Sequence, residues 1–273
     1  MTTRDEFNAI IDNKLTTEND LQSFLEKNSE FIPTDFLNGH QLNFQLIISK
    51  LRLGNEYITD FAYLTKNSGK WTLVLIEIEQ ASKKVFLKDN GSYPRFTAEF
   101  NGALAQVTAW KNYIANNKST VEKKISRLKI PMENNVLDFK YILVIGRDEH
   151  FSEEQIGVLR ETEKDDLKIL TYDSLGRRFE NNKPRMILSP IGDKDFKIKF
   201  VPENYLTNFF GWVTSEGIQI SLDARSELIK QGYSIEEWES GKLLHGTECK
   251  ITKEEAYEKS PKTDFDKVIY DIK

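Results

Sequence analysis

Between residues 42 and 79, apolar side chains gather into three strand-length segments, 42–49, 56–65 and 71–79. Turn chemistry separates them at Gly54-Asn55 and at Asn67-Ser68-Gly69. The third segment, W-T-L-V-L-I-E-I-E, is apolar almost throughout and ends in two acids. Side chains two apart on a strand share a face, so Glu77 and Glu79 point one way and Ile76 and Ile78 the other. So continuous an apolar run predicts a strand covered on both faces. Ahead of it, residues 16–28 place Leu21, Phe24 and Leu25 on a helical stripe, with Thr17 as N-cap. Acids crowd its first turn, and Glu18 there either faces the site or, the reading its position favours, complements the helix dipole. Pro33 lies beyond its end.

Behind the strands, residues 96–114 predict a helix. Ala98, Gly102, Ala103, Ala105 and Ala109 let it lie close on a sheet, and Gln106, Trp110 and Tyr113 share one of its faces. Residues 139–146 predict a fourth strand, and Ser152 opens a helix with a capping box to Gln155. Residues 167–171 read as a fifth strand, and Tyr172 starts another short helix. This order predicts a mixed α/β domain over residues 1–185. Beyond it, Pro184, Pro190 and Pro202 punctuate an accessory α+β region, 186–273. It contains an alternating strand at 195–200, a strand pair around Gly217 within 212–221, and a helix at 222–232. Its role is not legible.

Composition narrows the class. Among 273 residues, 39% are hydrophobic and 30% charged, the balance of a globular protein rather than a disordered chain. The single cysteine, Cys249, excludes an intramolecular disulfide and a cysteine zinc cluster, and suits a reducing compartment. No membrane-length apolar stretch and no signal-peptide layout occur, so the expectation is cytoplasmic, with no membrane partner. His40, His150 and His245 stand too far apart for metal-ligand spacing and are expected at the surface. No nucleophile elbow is present, and I-G-R-D-E-H (145–150) lacks the glycine spacing of a phosphate loop. The net charge of −5 is unevenly spread. Residues 111–129 hold Lys111, Lys118, Lys123, Lys124, Arg127 and Lys129 against Glu122 alone. They form either a solvated helix end or a phosphate-contacting surface.

The chemistry concentrates at the end of the third strand. Buried carboxylates are costly unless a cation compensates them, and a divalent metal does so readily. Asp60, amid the apolar neighbours of the preceding strand, joins Glu77 and Glu79. Phosphodiester hydrolysis needs a hard cation held by carboxylates beside the phosphate, lowering the pKa of an attacking water. The bare pattern D-(x)n-E-x-E is common by chance.

Several ordered segments give it context: T-E-N-D-L-Q-S-F-L-E-K-N (17–28), I-T-D-F-A (58–62), L-I-E-I-E-Q-A-S-K-K-V-F (75–86), F-N-G-A-L-A-Q-V-T-A-W (100–110), Y-I-L-V-I-G-R (141–147) and I-L-T-Y-D-S-L (169–175). Together they resemble the Shedu family, whose nuclease domain belongs to the PD-(D/E)XK superfamily. The resemblance covers about residues 15–180. It implies a restriction-endonuclease-like mixed sheet flanked by helices, and antiphage defence through Mg²⁺-dependent DNA cleavage (Mn²⁺ substituting) by a homo-oligomer. It assigns Asp60 and Glu77 to the metal, Glu79 to metal or water, and Gln106 to a glutamine helix motif. Glu79 departs from the pattern, which places a lysine there, and leaves open an active E-x-E site or a degenerate one. Lys83 and Lys84 stand near enough in sequence to supply the missing charge. With Lys118, Lys123, Lys124 and Arg127 they are the candidate DNA contacts. The alternative is a catalytically silent nucleic-acid- or protein-binding module on the same fold.

Overall fold

The computed structural model describes residues 2–37, 42–88 and 93–246. Among these, the framework is an eight-stranded mixed sheet ordered β5-β4-β3-β2-β1-β6-β7-β8. Its strands are β1 (Leu46–Ser49), β2 (Phe61–Lys66), β3 (Lys70–Ile78), β4 (Val136–Val144), β5 (Leu167–Leu170), β6 (Met186–Pro190), β7 (Phe196–Phe200) and β8 (Ile218–Ile220). β2 runs antiparallel to both β1 and β3, whereas β3, β4 and β5 are parallel. The C-terminal ends of β1, β3, β4 and β5 therefore meet the start of β2 at one end of the sheet.

Helices cover both faces: α1 (Thr3–Asp12), α2 (Glu18–Lys27), α3 (Ala98–Lys124), α4 (Glu153–Thr162) and α5 (Tyr172–Arg178). The two-residue period of β3 divides the core. Trp71, Leu73 and Leu75 pack with Val107, Trp110 and Ile114 of α3. Val74, Ile76 and Ile78 join Phe7, Leu21, Leu25 and Leu175 from α1, α2 and α5 on the other face. Each fully buried aliphatic side chain contributes about 1.5–3 kcal/mol, so a strand covered on both faces holds this end of the sheet rigidly. The mixed sheet flanked by helices is the architecture that the sequence predicts.

The differences are local. α1 precedes the first predicted helix. Thr2 and Asp5 form its capping box, but only Phe7 and Ile11 are buried, too short a stripe to stand out. The segment 42–49 becomes a strand only at Leu46, because Phe44 and Gln45 adopt left-handed backbone (φ 55° and 54°). β2 starts at Phe61. The residues before it fold back on β1's exit, with Leu53 N donating to Tyr57 O and Thr59 N to Leu51 O. α3 continues past residue 114 to Lys124, making most of the basic stretch helical.

The strand pair expected around Gly217 is instead a helical turn, α6 (Phe209–Trp212), and the single strand β8. Phe209 and Phe210 pack on Trp238 and Tyr233, so these aromatics build a core with α7 (Leu222–Lys230) and α8 (Ile235–Glu239) rather than a ladder. Across residue 186 the sheet continues, since β6 pairs in parallel with β1 and carries β7 and β8. His150 and His245 are exposed. His40 and Cys249 lie outside the described residues. No helix among the described residues is long and apolar enough to cross a membrane.

Candidate active site

The antiparallel register pairs Phe61 with Ile76. One further step sets Asp60 opposite Glu77, and Asp60 N donates to Ile76 O at 3.2 Å. Both side chains take the parity of Ala62, Leu73 and Leu75, which faces α3. There Gln106 Nε2 donates to Glu77 Oε1. Asp60 Oδ2 accepts from Ile78 N at 2.8 Å, and Asp60 Oδ1 from Lys50 Nζ at 2.5 Å. Just past the strand, Glu79 Oε2 accepts from Lys83 Nζ. The buried Tyr172 hydroxyl donates to Glu79 O at 2.6 Å, fixing its main chain. Asp60, Glu77 and Glu79 are respectively 4, 5 and 8% exposed, so three acids are withdrawn from water within a short span of backbone.

A fourth acid faces them. The pattern favours the helix dipole for Glu18, but the structure turns it toward the site. Burial first, then the charges of Asp60 and Glu79, raise its carboxyl above the ordinary range, against Lys50 and Lys83. Glu77 is affected most by this crowding. Burial pushes its carboxyl up to about 10, with Asp60's charge and hydrogen bond, Glu79 and Glu18 adding to the effect. Glu77 is therefore protonated at neutral pH, which lets it share a hydrogen bond with Asp60. Tyr172 is held well above its usual range by burial and by the same four acids.

α2 presents a polar row to this end of the sheet. Glu18, Gln22 and Glu26 recur every four residues, a spacing that puts them on one helical face. Gln22 Nε2 donates to Ser49 Oγ (3.1 Å) and Asp60 O (3.3 Å), while its buried Oε1 has no partner among the described residues. Ser49 Oγ donates to Glu26 Oε1, and Lys199 of β7 donates to Glu26 Oε2. The E-x-x-x-Q-x-x-x-E spacing was the available signal for this row, and it is weak beside the apolar stripe. Lys50 carried no signal at all, because its approach to Asp60 depends on backbone geometry.

Hard carboxylate oxygens are the donors that Mg²⁺ prefers, and a dication would offset both the burial and the neighbouring negative charge that hold a proton on Glu77. In that respect the residues fit the metal. Among the described residues, however, no three His, Cys, Asp or Glu side chains are gathered in a metal-gripping arrangement. Lys50 and Lys83 engage Asp60 and Glu79, and Gln106 engages Glu77. Occupation requires those contacts to yield.

The other candidates divide. Lys83 joins the acids. Glycine at 146 permits this approach: at φ 66°, a Cβ there would stand 2.6 Å from Lys83 O. Lys84 has an exposed side chain, and its N–H bonds Glu99. Trp110 is core, 1% exposed, and does not reach the site. Tyr113 lies against Gly54, where a Cβ would stand 2.1 Å from its hydroxyl, and braces the loop leading to Asp60. Lys118, Lys123, Lys124 and Arg127 lie toward or beyond the far end of α3. Twelve helical residues separate Gln106 from Lys118, roughly 18 Å. Lys124 pairs with Asp193 at 3.3 Å, and Arg127 with Asp195 at 3.0 Å. Lys118 and Lys123 remain exposed.

A search of curated proteins returns no match for this chain. The family model described as Shedu protein SduA, C-terminal, does match, over residues 16–175, which takes in every acid of the site and Gln106. That is more than half of the chain, and the chain belongs to this family.

Proposed function

We propose that this chain is the DNA-cleaving module of a cytoplasmic antiphage defence system, hydrolysing phosphodiester bonds with Mg²⁺ or Mn²⁺ as a homo-oligomer. The carrying observation is the convergence of Glu18, Asp60, Glu77 and Glu79 at one end of the sheet, where Glu77 is held up to about 10. A bound Mg²⁺ supplies charge neutralisation and a more acidic water. Asp60 and Glu77 are its holders. Ile78 N and Gln106 Nε2 each fix one oxygen of these two carboxylates and so set where the other points. Glu79 Oε1, the oxygen that Lys83 leaves free, accepts the proton of the attacking water.

The test is incubation of purified protein with linear, circular and single-stranded DNA, with and without Mg²⁺ or Mn²⁺, alongside light scattering for subunit number. Metal-dependent cutting is expected. No cutting under any metal overturns the reading. A silent binding module is the second reading. It is favoured by Lys50 and Lys83, which already pair Asp60 and Glu79, and by the glutamate at 79 where the nuclease pattern has lysine.

A further inference from the structure

We propose that Lys50 is the residue that meets the scissile phosphate, an inference that rests on the nuclease reading of the same acids. A phosphodiester is an anion, and it must approach a site already holding four carboxyl groups. Like charges a few ångströms apart repel strongly away from bulk water, so a cation must stand between them. Lys50 and Lys83 are the lysines seen bonded to these acids. They differ in access. The Lys83 side chain is 28% exposed and its main chain is packed under Gly146, whereas the Lys50 side chain is 42% exposed and so the more open of the two to an incoming anion.

Backbone geometry supports the same assignment. Lys50 has φ 57°, a left-handed conformation that glycine or asparagine adopts more readily. The sequence keeps a lysine there. The turn sends the chain out of β1 so that one residue grips Asp60 twice, with its N–H on Asp60 O at 2.8 Å and its ammonium on Oδ1 at 2.5 Å. Strain of this kind is retained where neighbouring structure enforces it, and it clusters at functional positions. Lys50 thus holds Asp60 in the resting protein and turns to a non-bridging phosphate oxygen when DNA arrives.

The experiment uses the full chain with Lys50→Asn, which suits the backbone, and Lys50→Arg, which keeps the charge. Three quantities are measured: thermal midpoint, binding of a short fluorescent duplex in Ca²⁺ over a range of salt, and single-turnover cleavage in Mg²⁺. Lys50→Asn is expected to fold, to cut about 10²-fold more slowly, and to bind with a salt slope shallower by about 0.9, the share of one phosphate. Lys50→Arg restores the slope and part of the rate.

A slower rate with the wild-type slope overturns the proposal and leaves Lys50 as a support for Asp60. A shallower slope with an unchanged rate places Lys50 on a phosphate away from the scissile one, and also overturns it. Wild-type protein that binds DNA but never cuts defeats the nuclease reading, and the slope alone then decides whether Lys50 touches phosphate. Wild-type protein that does not bind DNA defeats both.

Discussion

β3 carries charge near both of its ends, and the two ends handle it in opposite ways. At the start of β3, Lys70 pairs with Asp138 at 2.7 Å, both side chains close to half exposed. Exposed pairs of this type are worth roughly 0–1 kcal/mol each, and most substitutions among them are tolerated. At the other end, Asp60, Glu77 and Glu79 are buried, Glu18 leans in, and two lysines balance four acids. Buried like charges cost several kcal/mol and do not help folding. Burial and like charges that shift carboxyl pKa values in this way mark the arrangement as a candidate functional site.

The largest expected contrast lies in cleavage. Asp60→Asn or Glu77→Ala should reduce metal-dependent cutting by about 10³-fold or more while circular dichroism shows a folded protein. Asp138→Asn, at the opposite end of the sheet, should cut at the wild-type rate. Undiminished cutting by either site variant would place the active site elsewhere.

Glu79→Gln sharpens the contrast within the site. A glutamate at this position serves only by ligating the cation or accepting the water's proton, and glutamine does both poorly. Mg²⁺ titration calorimetry should show weaker binding, on the order of 10-fold, together with loss of cleavage. Equal and negligible heats for both proteins would favour the silent module.

How much of this is visible in the sequence depends on whether the cause is local. The apolar run of β3 and the parity of Glu77 and Glu79 follow from a two-residue period. The caps at Thr17 and Ser152 follow from short-range hydrogen bonds. The pairing of Asp60 with Glu77 is approached through adjacent strands and motif order. Glu18 reads as a dipole partner because its first-turn position explains an acid without any site, and only the packing of α2 across the sheet end turns it inward. Lys50 depends on a left-handed turn, and Lys83 on the close approach at Gly146. Neither conformation is encoded in a window of a few residues. The continuation of the sheet into β6 is equally hidden, because it joins strands more than a hundred residues apart.

Stability against pH gives the next prediction, with metal excluded by a chelator. Glu77 has its folded pKa raised from 4.5 to about 10. The folded state therefore holds this proton more tightly than the unfolded state. Its contribution is fully present below about 4.5 and is lost progressively as pH climbs toward 10. Glu77→Gln, which carries no proton to lose, should match wild type in acid and exceed it increasingly across that window. The gain at the alkaline end should be on the order of 2 kcal/mol, or roughly 4–8 °C in thermal midpoint. Parallel melting curves across the window would show that Glu77 is well compensated and that the two ends of β3 differ less than proposed. Asp138→Asn, by comparison, should shift the midpoint by no more than about a degree or two at any pH in this range.

The smallest effects belong to the basic stretch of residues 111–129. We infer that DNA is touched only by its exposed cations that form no ion pair among the described residues. Lys118 and Lys123 are exposed, whereas Lys124 and Arg127 are committed to Asp193, Asp195 and Glu216. A cation already neutralised by a carboxylate releases little when it meets a phosphate, because it exchanges one anion for another; Lys50 differs in that a bound dication would take its place at Asp60. Lys118→Ala with Lys123→Ala should flatten the salt dependence of duplex binding by about 0.9 for each phosphate no longer neutralised, equally for every DNA sequence. Lys124→Ala with Arg127→Ala should leave the slope unchanged and lower stability by roughly 1–2 kcal/mol, one ion pair of up to about 1 kcal/mol being lost with each cation. Fluorescence anisotropy at several salt concentrations distinguishes the pairs. An equal drop for both would mean that the ion pairs open on binding, and that the basic stretch is an electrostatic surface rather than a set of mutually neutralised charges. No drop for either would confine DNA to the acidic end, where the phosphate interaction proposed for Lys50 and the charge on Lys83 would have to hold it.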